Sequence, residues 1–170
     1  MDLKSTIRSI PDFPKPGILF RDISTLLKDG AAFSCVIDRL AQRYPADSLD
    51  AIAGIESRGF IFGAALAAKQ GMGFIPIRKP GKLPAKTVSA QYSLEYGTDT
   101  IEMHVDAVSP GMRVLLIDDL LATGGTMRAA CELVEKTGGI VAECCFIIEL
   151  ADLKGREALA GKTIFSLLTY

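Results

Sequence analysis

The chain has no tryptophan, a single histidine and only 7% aromatic residues, and its basic and acidic side chains, 19 against 20, nearly cancel. A net charge of -1 leaves no electrostatic footprint for nucleic acid or an anionic membrane surface. No apolar run approaches the roughly 20 residues of a membrane-spanning helix. Met1-Asp2-Leu3-Lys4 does not open like a secretory leader, so a cytoplasmic location is expected. The four cysteines, Cys35, Cys131, Cys144 and Cys145, lack CxxC spacing. Three of them sit in apolar segments, which fits reduced core thiols rather than disulfides or a zinc site. Internal repeats, low-complexity tracts and linkers are also missing. No G-x-G-x-x-G follows a candidate strand, which argues against a nicotinamide or flavin dinucleotide site. Gly161-Lys162-Thr163 looks like the end of a Walker A loop, but the required glycine would fall at Arg156 and the segment leads into a strand.

What is present is ordinary for a globular domain: 170 residues, 49% hydrophobic and 23% charged, enough for one domain with a sizeable core. The pattern predicts a short helix over Leu3 to Ser9 and an extended arm through Phe13-Pro14-Lys15-Pro16-Gly17. An amphipathic helix follows from about Ala31 to Tyr44. Asp50 to Ile55 and Phe74 to Ile77 read as buried strands on either side of a helix from Phe60 to Gln70. Later come a strand over Ile140 to Ile148, a helix over Asp152 to Leu159 and a strand over Ile164 to Leu168. Strands alternating with helices predict an α/β fold built on a parallel sheet, with helices on both faces. Ligands of such sheets bind beyond the carboxyl ends of the strands. Thr100 to Val105 alternates, which predicts a half-exposed strand with His104 as a solvated strand residue.

The chain is organised around Val114 to Thr126. Val114 to Ile117 is a short apolar run suited to a strand buried on both faces. Asp118 and Asp119 follow, where that strand is expected to leave the core. Ala122-Thr123-Gly124-Gly125-Thr126 then opens a helix with apolar positions Met127, Ala130, Cys131 and Val134. A helix N-terminus offers unpaired N–H groups and partial positive charge to a phosphate. Gly124 and Gly125 let the backbone close on the anion, and Thr123 and Thr126 add hydroxyl donors. Ionised Asp118 and Asp119 suit either the two hydroxyls of a ribose or a hydrated cation. Together the parts describe a site for a phosphorylated sugar. Glu56-Ser57-Arg58-Gly59 ends another strand at the same edge and is expected to face it.

From Arg78 to about Thr98 the pattern breaks. Arg78-Lys79-Pro80-Gly81-Lys82-Leu83-Pro84 is basic and punctuated, and Tyr92-Ser93-Leu94-Glu95-Tyr96-Gly97 follows. A connection of this length in a compact domain is usually functional or disordered, and Pro80, Gly81, Pro84 and Gly97 argue against continuous regular structure. A mobile lid is expected there, one whose closure would bring the Glu95 carboxylate to the site as a proton acceptor.

Asp118-Asp119-Leu120-Leu121-Ala122-Thr123-Gly124-Gly125-Thr126 resembles the phosphoribosyl-pyrophosphate (PRPP) signature of the type I phosphoribosyltransferases, in the version carried by members that act on adenine. The resemblance runs from Phe13 to about Leu153. It implies one phosphoribosyltransferase domain over residues 1–170, with a small N-terminal hood over about 1–30 and a flexible lid over about 78–98. It implies transfer of the 5-phosphoribosyl group from PRPP to adenine, giving AMP and pyrophosphate, with Mg²⁺ carried mainly by PRPP near Asp118 and Asp119. Ala122 to Thr126 would hold the 5′-phosphate and the two aspartates the ribose hydroxyls. By the same resemblance Phe20 and Arg21 border the adenine, and Arg58 and Lys82 face the pyrophosphate. Arg78 would reach it across the interface of a homodimer.

Overall fold

The computed structural model describes residues 1–94 and 97–170, and its backbone divides into two compact units, Met1–Arg43 and Tyr44–Tyr170. In the first unit a 3₁₀ turn over Lys4–Thr6 leads into β1 (Arg8–Pro11), which pairs antiparallel with β2 (Leu19–Asp22), Arg8 opposite Asp22. The helix expected over Leu3 to Ser9 is therefore a single turn. Its second half is drawn into strand pairing, and Pro11 closes it. Helices α1 (Ser24–Lys28) and α2 (Gly30–Arg43) follow, the second burying Ala32, Val36, Ile37 and Leu40. Asp29 Oδ1 accepts the N–H groups of Ala31 and Ala32 at 3.0 and 3.1 Å, which caps α2.

Asp22 ties the strand pair to α1. Its carboxylate accepts the Ser24 hydroxyl at 2.6 Å, the Ser24 N–H at 2.9 Å and Arg8 Nε at 3.0 Å. The Ser24 hydroxyl, then the Ser24 N–H and Arg8, lower the Asp22 pKa to about 2. A folded-state pKa below the unfolded value means the ionised form stabilises the fold above about pH 4, and that this contribution fades as pH falls toward 2. Asp22→Asn is therefore expected to lower the melting temperature at neutral pH, by an amount that shrinks toward zero near pH 2. Parallel thermal melts of both proteins across pH 2–7 check this; a pH-independent difference would contradict it.

The second unit is a five-stranded parallel sheet in the order β4–β3–β7–β8–β9, with a separate antiparallel pair, β5–β6. The strands are β3 (Ala51–Ile55), β4 (Gly73–Ile77), β5 (Thr87–Leu94), β6 (Gly97–His104), β7 (Arg113–Leu121), β8 (Ile140–Glu149) and β9 (Ile164–Thr169). Helix α3 (Arg58–Gln70) connects β3 to β4, and α4 (Gly125–Lys136) connects β7 to β8. These crossovers step outward in opposite directions from the central β3–β7 pair, so right-handed connections put α3 and α4 on opposite faces. Val114 through Ile117 are fully buried, as expected of the central strand. Val114 and Leu116 pack with Ala130, Cys131 and Val134 of α4, while Ile117 faces α3 at Gly63.

Three expectations for the second unit change. β7 does not leave the core at Asp118: it continues to Leu121 because β8 runs alongside, Asp118 opposite Phe146 and Leu121 opposite Glu149. Within the segment from Arg78 to Thr98, Thr87–Leu94 is a strand paired residue by residue with Gly97–His104 rather than part of an irregular loop. The helix expected over Asp152 to Leu159 is two 3₁₀ turns, Ala151–Leu153 and Gly155–Leu159, separated by Lys154 at φ 53°. There Arg156 makes a two-point contact with Glu149, both N···O distances 2.7 Å. All four cysteines are free thiols, and no described helix is long and apolar enough to cross a membrane.

Candidate active site

The sheet order reverses between β3 and β7, and beyond the carboxyl ends of these two strands lies a cavity of about 310 Å³. A crevice at such a switch point is where open α/β sheets take ligands. β3 delivers Glu56, Ser57 and, at the start of α3, Arg58; β7 delivers Asp118 and Asp119; Lys79 and Tyr92 close the other side. The two strand ends meet through Gly59. A Cβ there would lie 2.7 Å from the Ile117 carbonyl and 3.1 Å from Asp118 Oδ1, so only glycine lets α3 begin against β7.

Charge is arranged in pairs. Arg58 Nε contacts Asp119 Oδ2 at 2.6 Å, and the Asp119 carboxylate is almost wholly buried, whereas the Arg58 side chain is 48% exposed. Asp119 is thus not at the solvent-facing strand end that the sequence suggested. Asp118 is partly open to the cavity yet closely enclosed by protein. Burial, then the neighbouring Asp119 charge, push the Asp118 carboxyl well above its ordinary range, although Arg58 and the Asp119 N–H, 2.9 Å from Oδ1, act the other way. A cation or hydroxyl donors arriving between the two aspartates would relieve that repulsion. Glu56 is held low, first by the Lys79 N–H at 2.9 Å and then by Arg78, whose Nε and a terminal nitrogen both lie 3.2 Å from it.

Beside this cavity is a smaller one of about 70 Å³, lined by Ala122, Thr123, Gly124, Gly125 and Thr126. Asp118 and Thr126 border both spaces, so the acidic pair and the N-terminus of α4 serve one continuous site. Gly124 stands before α4 at φ 85°, in the left-handed region. A Cβ on it would come within 2.5 Å of the Gly155 carbonyl, while one on Gly125 would meet nothing nearer than Ser93 O at 3.6 Å. The glycine requirement that the sequence suggested for both positions therefore falls on Gly124.

The remaining candidates are distributed unevenly. Lys82 is exposed and does not line either cavity, whereas Lys79 does. Arg78 is engaged within its own chain, paired with Glu56 and lying 5.9 Å over the Phe60 ring. Phe20 and Arg21 belong to the N-terminal unit, where Phe20 packs edge-on against Phe13 and Arg21 donates to the Ser9 hydroxyl. Glu95 lies outside the described residues. Glu56 lines the site, as expected of the Glu56 to Gly59 turn. Lys79 is one of the cations expected within reach of it, though ranked below Arg58 and Lys82, and no sequence signal assigns Tyr92 a role. Among the described residues no three His, Cys, Asp or Glu side chains gather as a metal cluster. Paired acceptors, two cations and a helix N-terminus in one crevice can hold a sugar bearing phosphate at both ends.

Residues 24–165 match the model of the phosphoribosyl transferase domain. The chain is 61% identical to an adenine phosphoribosyltransferase of Chloroflexus aurantiacus, over 99% of this chain and 98% of that one. Among solved structures it is similar to the adenine phosphoribosyltransferase from Thermoanaerobacter pseudethanolicus, with a TM-score of 0.95, 54% identity and coverage of 99% and 98% of the two chains. A Saccharomyces cerevisiae adenine phosphoribosyltransferase, solved with an imino-altritol bisphosphate and adenine, matches with a TM-score of 0.92 and 41% identity over 98% of this chain and 97% of that one.

Proposed function

The chain belongs to the phosphoribosyl transferase domain family, among its adenine phosphoribosyltransferases, and from that premise we propose which residues transfer the 5-phosphoribosyl group from PRPP to adenine, releasing pyrophosphate and forming AMP. One observation supports the reading: the acidic pair of β7 and the glycine turn before α4 line adjoining cavities that share Asp118 and Thr126, at the switch point of the sheet. The N–H groups of Ala122 to Thr126 hold the 5′-phosphate at the positive end of α4. Asp118 and Asp119 accept hydrogen bonds from the ribose hydroxyls. Arg58, paired with Asp119 at the start of α3, meets the negative charge of the pyrophosphate.

C1′ becomes cation-like as its bond to pyrophosphate breaks, so water has to be kept out and charge balanced on both sides. Lys82 stands on the basic stretch after β4, and in this reading it meets the leaving group when that stretch closes over the crevice, while Arg78 reaches the leaving group of the other subunit across the interface of a homodimer. Phe20 and Arg21 take the adenine, a role that rests on the family resemblance, and Glu95 accepts or relays the proton of the attacking purine. Mg²⁺ is commonly held by one or two carboxylates together with substrate phosphates and water, which fits Asp118 and Asp119 as partners of a metal carried by PRPP. When bound it supplies charge neutralisation at the pyrophosphate. A homodimer and a cytoplasmic location complete the proposal.

Incubation with PRPP, Mg²⁺ and, in turn, adenine, hypoxanthine, guanine and orotate tests the reading. AMP and pyrophosphate are expected with adenine, and little product with the other bases. Efficient turnover of another base with none of adenine would overturn it.

A further inference from the structure

We infer that Asp99 is a positioning residue for the reaction: it holds Lys79 so that the ammonium group presents one free N–H to the diphosphate end of the substrate. The inference rests on the proposed reaction and deepens it. Lys79 follows β4, while Tyr92 and Asp99 are cross-strand partners on β5 and β6. Lys79 Nζ donates to the Tyr92 hydroxyl at 2.8 Å and forms an ion pair with Asp99 Oδ2. The Tyr92 hydroxyl in turn donates to the same carboxylate oxygen at 3.0 Å. Asp99 Oδ1 is fixed by the Thr100 N–H at 2.8 Å. Lys79 and Tyr92 line the 310 Å³ cavity and Asp99 does not, so the carboxylate works from behind the wall.

Counting donors shows which group is left for a ligand. The Tyr92 hydroxyl gives its only proton to Asp99 and takes one from Lys79. The ammonium has three N–H groups, two of them used here, so the third is available to an anion in the cavity. Lysine is a compact charge on a flexible stem, and the carboxylates of Glu56, Asp118 and Asp119 line the same cavity. Without a tether, the ammonium could fold onto those acceptors and occupy the places of the sugar hydroxyls. Asp99 supplies that tether while leaving the cavity wall cationic.

A purely architectural role is already filled by other contacts. Arg78 and Glu102 exchange backbone hydrogen bonds at 2.9 and 2.7 Å, joining the end of β4 to β6. Ala90, Tyr92, Ile101 and Met103 bury the inner face of the hairpin in the core. The Lys79–Asp99 pair, with side chains 40% and 32% exposed, adds little stability to that anchorage.

The test measures Asp99→Asn, Lys79→Gln and the double variant in both directions, with PRPP plus adenine and with AMP plus pyrophosphate. Asp99→Asn is expected to raise KM for PRPP and for pyrophosphate about tenfold or more, the worth of one charge-assisted hydrogen bond, with a smaller change in kcat and none in KM for AMP. Lys79→Gln should raise the same two constants, and adding Asp99→Asn to it should do nothing further. Circular dichroism and thermal melts accompany each variant. A well-folded Asp99→Asn with wild-type KM for both ligands would overturn the inference, as would an undiminished effect of Asp99→Asn in the Lys79→Gln background. If Asp99→Asn does not fold, Lys79→Gln decides: unchanged KM for PRPP and pyrophosphate would overturn the inference and a rise in both would support it. A wild-type protein that makes no AMP from PRPP and adenine would instead defeat the underlying reading, so the two failures are distinguishable.

Discussion

Gly124→Val is expected to give a folded protein that no longer binds PRPP measurably, while Gly125→Ala binds within about tenfold of wild type. The two neighbours differ in geometry. Gly124 has φ 85° and opens α4; a β-branched side chain in that region costs about 1–3 kcal/mol from strain alone. Its Cβ would also meet the Gly155 carbonyl at 2.5 Å and the Ala158 methyl at 3.0 Å. Gly155 is confined in its turn, since even a Cβ added to it would come within 2.4 Å of the Ala122 carbonyl and 2.7 Å of the Leu121 side chain. The turn before α4 must therefore move, and the N–H groups that cradle the phosphate lose their common aim. Losing even two charge-assisted hydrogen bonds at about 1.5–3 kcal/mol each amounts to about 10²–10⁴ in affinity. At Gly125 a Cβ meets Ser93 O at 3.6 Å and the Tyr92 side chain at 3.7 and 3.8 Å, ordinary contacts that need no rearrangement. Calorimetric titration with Mg²⁺-PRPP, alongside circular dichroism, measures both. Normal affinity in Gly124→Val, or equal losses in the two variants, would remove the phosphate cradle from this turn.

Local signals carried the centre of the molecule further than its edges. Val114 to Ile117 was readable because a strand buried on both faces leaves an unbroken apolar run, and the glycine turn was readable because its residue types follow from phosphate chemistry. The end of β7 was not, since the extra residues through Leu121 are held by pairing with β8, a partner remote in sequence. Gly97 read as punctuation within a loop, but it is the first residue of β6, opposite Leu94. Strand pairing overrode the local preference there. By resemblance Lys82 is the preferred cation over Lys79 in the same basic stretch. Only the cross-strand placement of Tyr92 and Asp99 separates them, and it draws Lys79 into the cavity wall. The Asp152 to Leu159 helix failed for a tertiary reason as well: the chain there turns through a left-handed residue at Lys154, and the next residue, Gly155, sits where an added Cβ would come within 2.4 Å of the Ala122 carbonyl.

The Arg58–Asp119 pair gives the second large effect, because stability and activity should respond to it in different ways. Arg58→Met leaves the Asp119 carboxylate buried without its nearest cation and beside Asp118, whose carboxyl is already pushed up by burial and by Asp119. Stranding one partner of a buried pair costs about 3–5 kcal/mol. The half-exposed Arg58 side chain places this case toward the lower end. Asp119→Asn is milder, since water reaches the Arg58 guanidinium and the repulsion on Asp118 disappears. The double variant Arg58→Met/Asp119→Asn should therefore regain much of the melting temperature lost in Arg58→Met. Asp118→Asn should raise the melting temperature at pH 7, because it removes a carboxylate whose ionised form the fold disfavours. None of the four should recover turnover. Each removes either an acceptor for the ribose hydroxyls or the cation facing pyrophosphate, and a loss of about 10²–10³ in kcat/KM is expected for each, the scale of one preorganised polar group acting on developing charge. Melting curves and initial rates on the same preparations measure both properties. An Arg58→Met protein as stable as wild type would deny the pair its electrostatic role, and a double variant that recovers activity together with stability would make the pair structural rather than catalytic.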